Sequence, residues 1–216
     1  DTAVDSHTGL PLVDKSLAEL EKLELLPFKK AMDEGVDLLM TAHIQYPQIE
    51  KDQVVSKETG EKIYVPATLS DDILTGLVRK KYGYKGVIVS DAMGMDAIAK
   101  NFGEVEAVKM AIKAGVDLVL MPTTLRSKAD LTKIDTIVNA VVDAVQTGDI
   151  SEERLNESVR RILTLKEKRG VLNFDPSART AEKAEEAVGS SLNRDLERKI
   201  AAAAVTVVKN EDNTLP

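Results

Sequence analysis

The sequence predicts an α/β fold with parallel strands, and three observations support this. First, three continuous apolar runs, at 36–42, 86–90 and 116–121, are typical of buried parallel strands. Second, helical patterns separate these runs, as expected for right-handed βαβ units. Third, residues 31–38 resemble residues 111–118, since each contains a helix end, a glycine and the start of a strand. Three strands would leave unpaired edges, so we expect a segment of a larger barrel or sheet.

Amphipathic helices are predicted between and after the strands. Ser70 and Ser151 are suited to cap two of them, Gly115 follows another, and Gly170 ends the last. Pro27 is expected to begin a further helix, because an interior proline costs about 3 kcal/mol. The apolar positions of the four main helices are Ile73, Leu74, Leu77 and Val78; Val105, Val108 and Ile112; Leu131, Ile134, Val138, Val141 and Val145; and Leu155, Val159 and Ile162.

The chain changes character after Gly170. Residues 173–177 are predicted to form a loop, and residues 181–204, charged and then rich in alanine, a helix. Residues 205–208 are β-branched and predict one strand, which the polar turn 210–213 follows. This region is therefore expected to lead from the first domain into another.

Composition excludes several classes of function. The net charge of −7 disfavours a nucleic-acid partner, and no run approaches the ~18 apolar residues of a membrane span. The N-terminus lacks the pattern of a signal peptide. Without cysteine, thiolate catalysis and cysteine metal sites are excluded, and either a reducing or an oxidising compartment fits. Because only two histidines occur, no multi-histidine metal site is expected.

Asp91 is the leading candidate for a catalytic residue. It follows the apolar run 86–90 and enters a turn that contains Gly94. Catalytic groups collect at the carboxyl ends of parallel strands in α/β folds. The alternative, equally favoured by spacing alone, is a carboxylate that caps the next helix.

His7 and Asp5 form the second candidate site, in the run Asp5-Ser6-His7. Histidine can give and take a proton near neutral pH, and a nearby carboxylate would orient the imidazole and stabilise its charged form. For an isolated run of this kind, a polar surface loop is the more common outcome.

Three further residues are candidates for the wall of the same pocket. His43 ends the first predicted strand and is interpreted either as a substrate-binding residue or as a hydrogen-bonded supporting residue. Met93 and Met95 would either flank a sugar ring or pack in the core, which is the usual environment of methionine.

Together these segments resemble glycoside hydrolase family 3. The run 86–95 is similar to the nucleophile motif of that family, and Asp5-Ser6-His7 is similar to the Asp-His dyad of its β-N-acetylglucosaminidases. Residues 66–70, 160–163, 207–210 and 215–216 also match the texture of the family. Each motif is modest alone, but their order along the chain is distinctive.

The resemblance implies the C-terminal half of a (β/α)8 TIM barrel, ending at the linker to a second α/β domain. Residues 1–172 would be the barrel half, and residues 173–216 a linker helix and the start of the second domain. Much of the sugar pocket would then lie on the missing N-terminal barrel half or on a second chain fragment. A carbohydrate substrate is implied, with no metal and no organic cofactor.

The implied reaction is retaining hydrolysis of β-N-acetylglucosaminides, with peptidoglycan fragments as the expected substrate. Asp91 would form a glycosyl-enzyme intermediate, His7 would act as acid and base, and Asp5 would support His7. Two alternatives stay open. One is a phosphorylase on the same scaffold, in which phosphate replaces water; the other is an inactive, truncated segment or sugar-binding remnant.

Overall fold

The computed structural model describes residues 2, 4–173, 175 and 180–211, in two compact units. The units are Asp1–Arg169 and Gly170–Pro216. The elements of the first unit are α1 Leu17–Leu20, α2 Leu26–Asp33, β1 Leu38–Met40, β2 Gln53–Val55, β3 Lys62–Tyr64, a 3-10 turn Ala67–Leu69, a π-helix Asp72–Lys81, β4 Val87–Val89, α3 Asp96–Phe102, α4 Glu104–Ala114, a 3-10 turn Lys128–Asp130, α5 Leu131–Gln146 and α6 Glu152–Lys168. Among the described residues, no helix is long and apolar enough to cross a membrane.

The central sheet is parallel, as predicted, but shorter than the apolar runs. β1 and β4 pair with Leu39 opposite Ile88, and a separate antiparallel pair joins β2 to β3. The predicted strand 116–121 was wrong in extent, because that segment meets β4 only at one parallel bridge between Val89 and Leu118. β4 is buried, whereas two of the three residues of β1 are exposed.

The helices begin and end close to their predicted caps. Ser70 Oγ accepts a hydrogen bond from Ile73 N at 3.1 Å, and Ser151 Oγ accepts one from Arg154 N at 3.1 Å. Pro27 lies in the first turn of α2. All four apolar residues predicted for the Asp72–Lys81 helix are buried. The apolar positions of α5 and α6 are less well covered, and the exposed ones are Leu131, Val138 and Val159.

The start of β4 is fixed by a close backbone approach at Gly86 and by hydrogen bonds to Asp117. A Cβ at Gly86 would lie 2.8 Å from the Asp37 carbonyl oxygen and would overlap the Tyr84 hydroxyl. The side chain of Asp117 is fully buried and accepts hydrogen bonds from Ile88 N and from three arginines, Arg79, Arg154 and Arg161. The π-helix and α6 are thereby tied to the edge of β4.

In the second unit, the described residues contain two helices, α7 Ala181–Val188 and α8 Ser191–Ala204. The single predicted helix is interrupted at Gly189, and Ser190 caps α8 by accepting from Asn193 N. The predicted strand 205–208 was wrong: these residues are exposed and form no strand, and no strand in the described part of the chain pairs with them. The predicted loop 173–177 and turn 210–213 lie partly outside the described residues.

Candidate active site

Asp91 lies two residues beyond the end of β4, at the carboxyl end of the parallel pair. Its Oδ1 accepts a hydrogen bond from Ala92 N at 2.7 Å. Helix α3 begins at Asp96 with Met95 at its N-cap, so Asp91 does not cap it. The half-buried carboxylate is therefore held by the backbone of its own turn. It does not have the helix-capping role that spacing alone allowed.

His43 supports this turn from the segment that follows β1. The imidazole is fully buried, with Nε2 3.0 Å from the Ala92 carbonyl oxygen and Nδ1 2.9 Å from Thr68 Oγ1. Since a carbonyl can only accept, Nε2 carries the proton and Nδ1 accepts from Thr68. Both ring nitrogens are thus occupied, which favours the supporting role over direct contact with a substrate.

The charge state of His43 follows from its burial. Burial lowers the pKa of the imidazole below its ordinary value of 6.5, and this effect outweighs the opposing attraction of the Asp91 carboxylate. His43 is therefore neutral at physiological pH and acts as a fixed hydrogen-bond donor to Ala92.

Asp5 and His7 form a tight pair on an exposed turn. Asp5 Oδ1 lies 2.8 Å from His7 Nδ1 and also accepts a hydrogen bond from His7 N at 2.9 Å. The hydrogen bond from the His7 backbone, followed by that from its side chain, lowers the pKa of the Asp5 carboxyl. A carboxylate at this position favours a proton on Nδ1 and leaves Nε2 free to exchange protons with a ligand.

Met93 and Met95 lie away from any open surface. Met93 is 1% exposed and belongs to the main hydrophobic core, and Met95 is also buried. The core-packing alternative therefore describes Met93 in this chain, because a side chain enclosed by core residues offers no face to a sugar ring.

The predicted site residues thus form two groups. His43 is grouped with the Asp91 turn, and Asp5 with His7. No hydrogen bond or ion pair within the described residues joins the two groups, and no three His, Asp or Glu side chains there cluster as a metal ion would require.

Sequence reasoning missed Thr41 and Thr68, whose hydroxyl groups extend the polar contacts of His43. Thr41 Oγ1 lies 2.8 Å from Thr68 Oγ1, and both side chains are buried. One signal was available: residues 41 and 43 lie on the same face of an extended segment, because side chains alternate there. Thr68 lies in the run 66–70 that resembles the family, but nothing in that run indicated a contact with His43.

Known proteins include relatives that are similar over the whole of this chain. The family model described as "Glycosyl hydrolase family 3 N terminal domain" matches residues 1–165. A beta-hexosaminidase A of Pseudoalteromonas piscicida is 40% identical over 100% of this chain and 35% of its own length. A family 3 beta-N-acetylglucosaminidase of Paenibacillus sp. str. FPU-7 is 38% identical, with a TM-score of 0.71, over 84% of this chain and 31% of its own.

A beta-glucoside phosphorylase, BglX, is similar in fold, with a TM-score of 0.75 at 23% identity over 98% of this chain and 36% of its own. The chain spans about a third of the length of these relatives. The α/β organisation seen here is that of the TIM-barrel-like fold of the matched family domain. The family match and the whole-chain relative together show that this chain belongs to glycoside hydrolase family 3.

Proposed function

We propose that this chain supplies the nucleophile and the acid/base group of a retaining glycosidase that releases terminal β-linked N-acetylglucosamine. The observation that carries the proposal is the Asp5–His7 pair, in which one carboxylate oxygen accepts from both the backbone and the ring of His7. The beta-hexosaminidase and beta-N-acetylglucosaminidase among the relatives support the choice of sugar.

In the first proposed step, a carboxylate oxygen of Asp91 attacks the anomeric carbon. The bond from that carbon to the leaving oxygen breaks as His7 Nε2–H donates its proton to this oxygen. The products are a glycosyl ester on Asp91, the free aglycone and a neutral His7. Asp5 stabilises the protonated imidazole before transfer, because its lowered pKa keeps it ionised.

In the second step, His7 removes a proton from water as the water oxygen attacks the anomeric carbon. The ester bond breaks, Asp91 leaves as a carboxylate, and the sugar departs with retained configuration. Retaining enzymes hold their two groups about 5–5.5 Å apart. The proposal therefore requires the exposed turn around His7 to lie across the scissile bond from Asp91 in the substrate complex.

We propose that the rest of a (β/α)8 barrel covers the open edge of β1 in the complete protein. Leu38 and Met40 are 46% and 53% exposed on this strand. A cavity of about 380 Å³ beside it is lined mainly by apolar side chains, including Phe28, Met32, Leu39 and Tyr46. Exposed apolar surface next to the unpaired edge of a strand is typical of a covered interface.

The same proposal divides the chain into a barrel half, residues 1–172, and a linker with the start of a second domain, residues 173–216. The second compact unit, which begins at Gly170, supports a domain boundary in this region. The covering barrel half, whether in the same chain or a second fragment, would hold much of the N-acetylglucosamine pocket. Peptidoglycan fragments that end in this sugar are the proposed natural substrate.

Turnover of 4-nitrophenyl N-acetyl-β-glucosaminide by the complete protein tests the proposal. We expect Asp91→Ala to abolish turnover, whereas Asp96→Ala, which removes a nearby carboxylate paired with Lys100, should retain it. His7→Ala should slow a substrate with a poor leaving group far more than one with a good leaving group, because only the former needs a proton. The chain alone should turn over little substrate.

Four outcomes would contradict the proposal. Normal activity in Asp91→Ala would reject the nucleophile, and full activity of His7→Ala on the poor leaving group would remove His7 from the mechanism. Release of sugar 1-phosphate in place of free sugar when phosphate is present would identify a phosphorylase. Absence of turnover by the complete protein would favour an inactive, sugar-binding role.

A further inference from the structure

Three buried side chains form a polar path that ends at the turn of Asp91. Thr41 Oγ1 lies 2.8 Å from Thr68 Oγ1, which lies 2.9 Å from His43 Nδ1, and His43 Nε2 lies 3.0 Å from the Ala92 carbonyl oxygen. Because the last acceptor is a carbonyl, the donors run in one direction: Thr41 donates to Thr68, Thr68 to His43, and His43 to Ala92.

The peptide between Ala92 and Met93 is hydrogen-bonded at both its carbonyl oxygen and its N–H. Its carbonyl oxygen accepts from His43, which lies beyond β1, and its N–H donates to the Leu120 carbonyl oxygen at 3.0 Å. Leu120 belongs to the segment on the other side of β4, where its own N–H donates to Ser90 Oγ at 2.9 Å. The orientation of this peptide plane is thus set by two segments that flank β4.

The clamped peptide is linked to the carboxylate of Asp91 through Ala92. The Ala92 N–H, which lies in the preceding peptide, donates to Asp91 Oδ1 at 2.7 Å, and the Ala92 carbonyl is the group that His43 holds. The two peptides share the Cα of Ala92, so a shift of the clamped peptide that displaces this atom would also move the Ala92 N–H and the carboxylate that it holds. His43 has no exposed surface of its own through which to contact a ligand.

We infer that His43 is a positioning residue for the nucleophile: it clamps the Ala92–Met93 peptide and so aims the Asp91 carboxylate, with Thr68 fixing its ring. The inference rests on the proposed function for its catalytic consequence, whereas the clamp itself is a property of the fold. A misplacement of about 1 Å at a nucleophile can cost up to about 10²-fold in rate.

The experiment compares His43→Phe, His43→Gln and Thr68→Val in the complete protein. Thr75→Val is the matched control, since it removes a similar hydrogen bond, from Thr75 Oγ1 to the Ala114 carbonyl oxygen at 2.9 Å, which is not part of the clamp. The readouts are kcat and KM on 4-nitrophenyl N-acetyl-β-glucosaminide, and the rate at which a 2-deoxy-2-fluoro glycosyl fluoride esterifies Asp91, measured by peptide mass. Amide hydrogen exchange at Ala92 and Met93 is measured in parallel.

We expect His43→Phe to lower kcat and the labelling rate by about 10- to 10²-fold with KM changed less than about threefold. His43→Gln, which retains an N–H donor, should recover most of this loss, and Thr68→Val should fall between the two. Exchange at Ala92 and Met93 should accelerate in His43→Phe, and Thr75→Val should change none of these readouts.

Two results would overturn the inference. One is a folded His43→Phe variant with wild-type kcat, labelling and exchange; the other is a raised KM with unchanged kcat, which would mean direct contact with the substrate. Failure of the proposed function looks different, because the wild-type protein itself would then not be labelled at Asp91. Exchange at Ala92 and Met93 would still support or reject the clamp in that case.

Discussion

The two histidines of this chain occupy opposite environments, and this difference separates their roles. His43 is fully buried with both ring nitrogens hydrogen-bonded, whereas the His7 side chain is 74% exposed and bonded to Asp5 through Nδ1. An exposed imidazole with one free nitrogen can exchange protons with a ligand. A buried, neutral one can only orient its neighbours.

Burial of His43 predicts a pH dependence of stability. Its folded pKa lies below 6.5, so the unfolded chain binds a proton at His43 that the folded chain resists. Its contribution to the free energy of unfolding is therefore full above pH 6.5 and is lost as pH falls toward the lowered pKa. We expect urea unfolding of His43→Gln to show a weaker loss of stability from pH 7 to 5 than the wild type.

The control for this measurement is Thr75→Val, which removes a hydrogen bond of 2.9 Å from Thr75 Oγ1 to the Ala114 carbonyl oxygen without removing a titratable group. This variant should show the same loss of stability from pH 7 to 5 as the wild type. An unchanged pH dependence in His43→Gln would contradict the assignment of a buried, neutral imidazole.

At the scale of elements, two glycines differ in whether the surrounding structure leaves space for a side chain. Gly86 enters β4 against Tyr84 and the Asp37 carbonyl oxygen, whereas Gly76 lies in the Asp72–Lys81 helix with its nearest atom at 3.7 Å. Gly76 costs helix stability without serving a close approach, and Gly86 serves one.

The same substitution should therefore have opposite effects at these two positions. Gly86→Ala should destabilise the chain by about 1–3 kcal/mol through overpacking, whereas Gly76→Ala should stabilise it by about 0.5–1 kcal/mol. Chemical unfolding of the two variants beside the wild type measures both. Equal and small effects would mean that the entrance of β4 relaxes without cost.

The elements also show how far sequence reasoning reached. The helix that Ser70 caps and the parallel order of β1 and β4 could be predicted, because caps and apolar periodicity are local signals. The extents of the strands could not, since a strand continues only where a neighbour accepts its backbone hydrogen bonds. That is why residues 116–121 and 205–208 have β-rich sequences without forming regular strands.

The candidate site divides along the same line. Asp91, Asp5 and His7 could be chosen from local motifs, and the Asp5–His7 contact spans only two residues. The role of His43 depended on Thr68 and Ala92, which lie 25 and 49 positions away in the chain. Such partners meet only through the fold, so local patterns carried no information about them.

At the scale of the whole molecule, β1 is a paired strand with one open edge. Its partner is β4, no other strand pairs with it within the described residues, and two of its three side chains are exposed. Leu38 and Met40 would be exposed here, but not in the complete protein, if further chain covers this edge of β1 there.

Met40→Lys tests this expectation. In the complete protein we expect the substitution to lower the free energy of unfolding by about 2 kcal/mol or more, because a charge would be buried without a partner. Lys62→Met on β3, an exchange in the opposite direction at another exposed strand position, is the control and should change stability by less than about 0.5 kcal/mol. A change equally small for Met40→Lys would show that this edge stays in solvent.

The clamp on the Ala92–Met93 peptide links the position of Asp91 to the segments on either side of β4. One of its two hydrogen bonds comes from the segment beyond β1 and the other goes to the segment that contains Leu120, so the peptide next to Asp91 connects the two segments that flank β4. A separation of these segments would break one of the two hydrogen bonds. If the rest of a barrel closes around this sheet in the complete protein, as proposed above, it would limit that separation and so help to keep Asp91 in its present position.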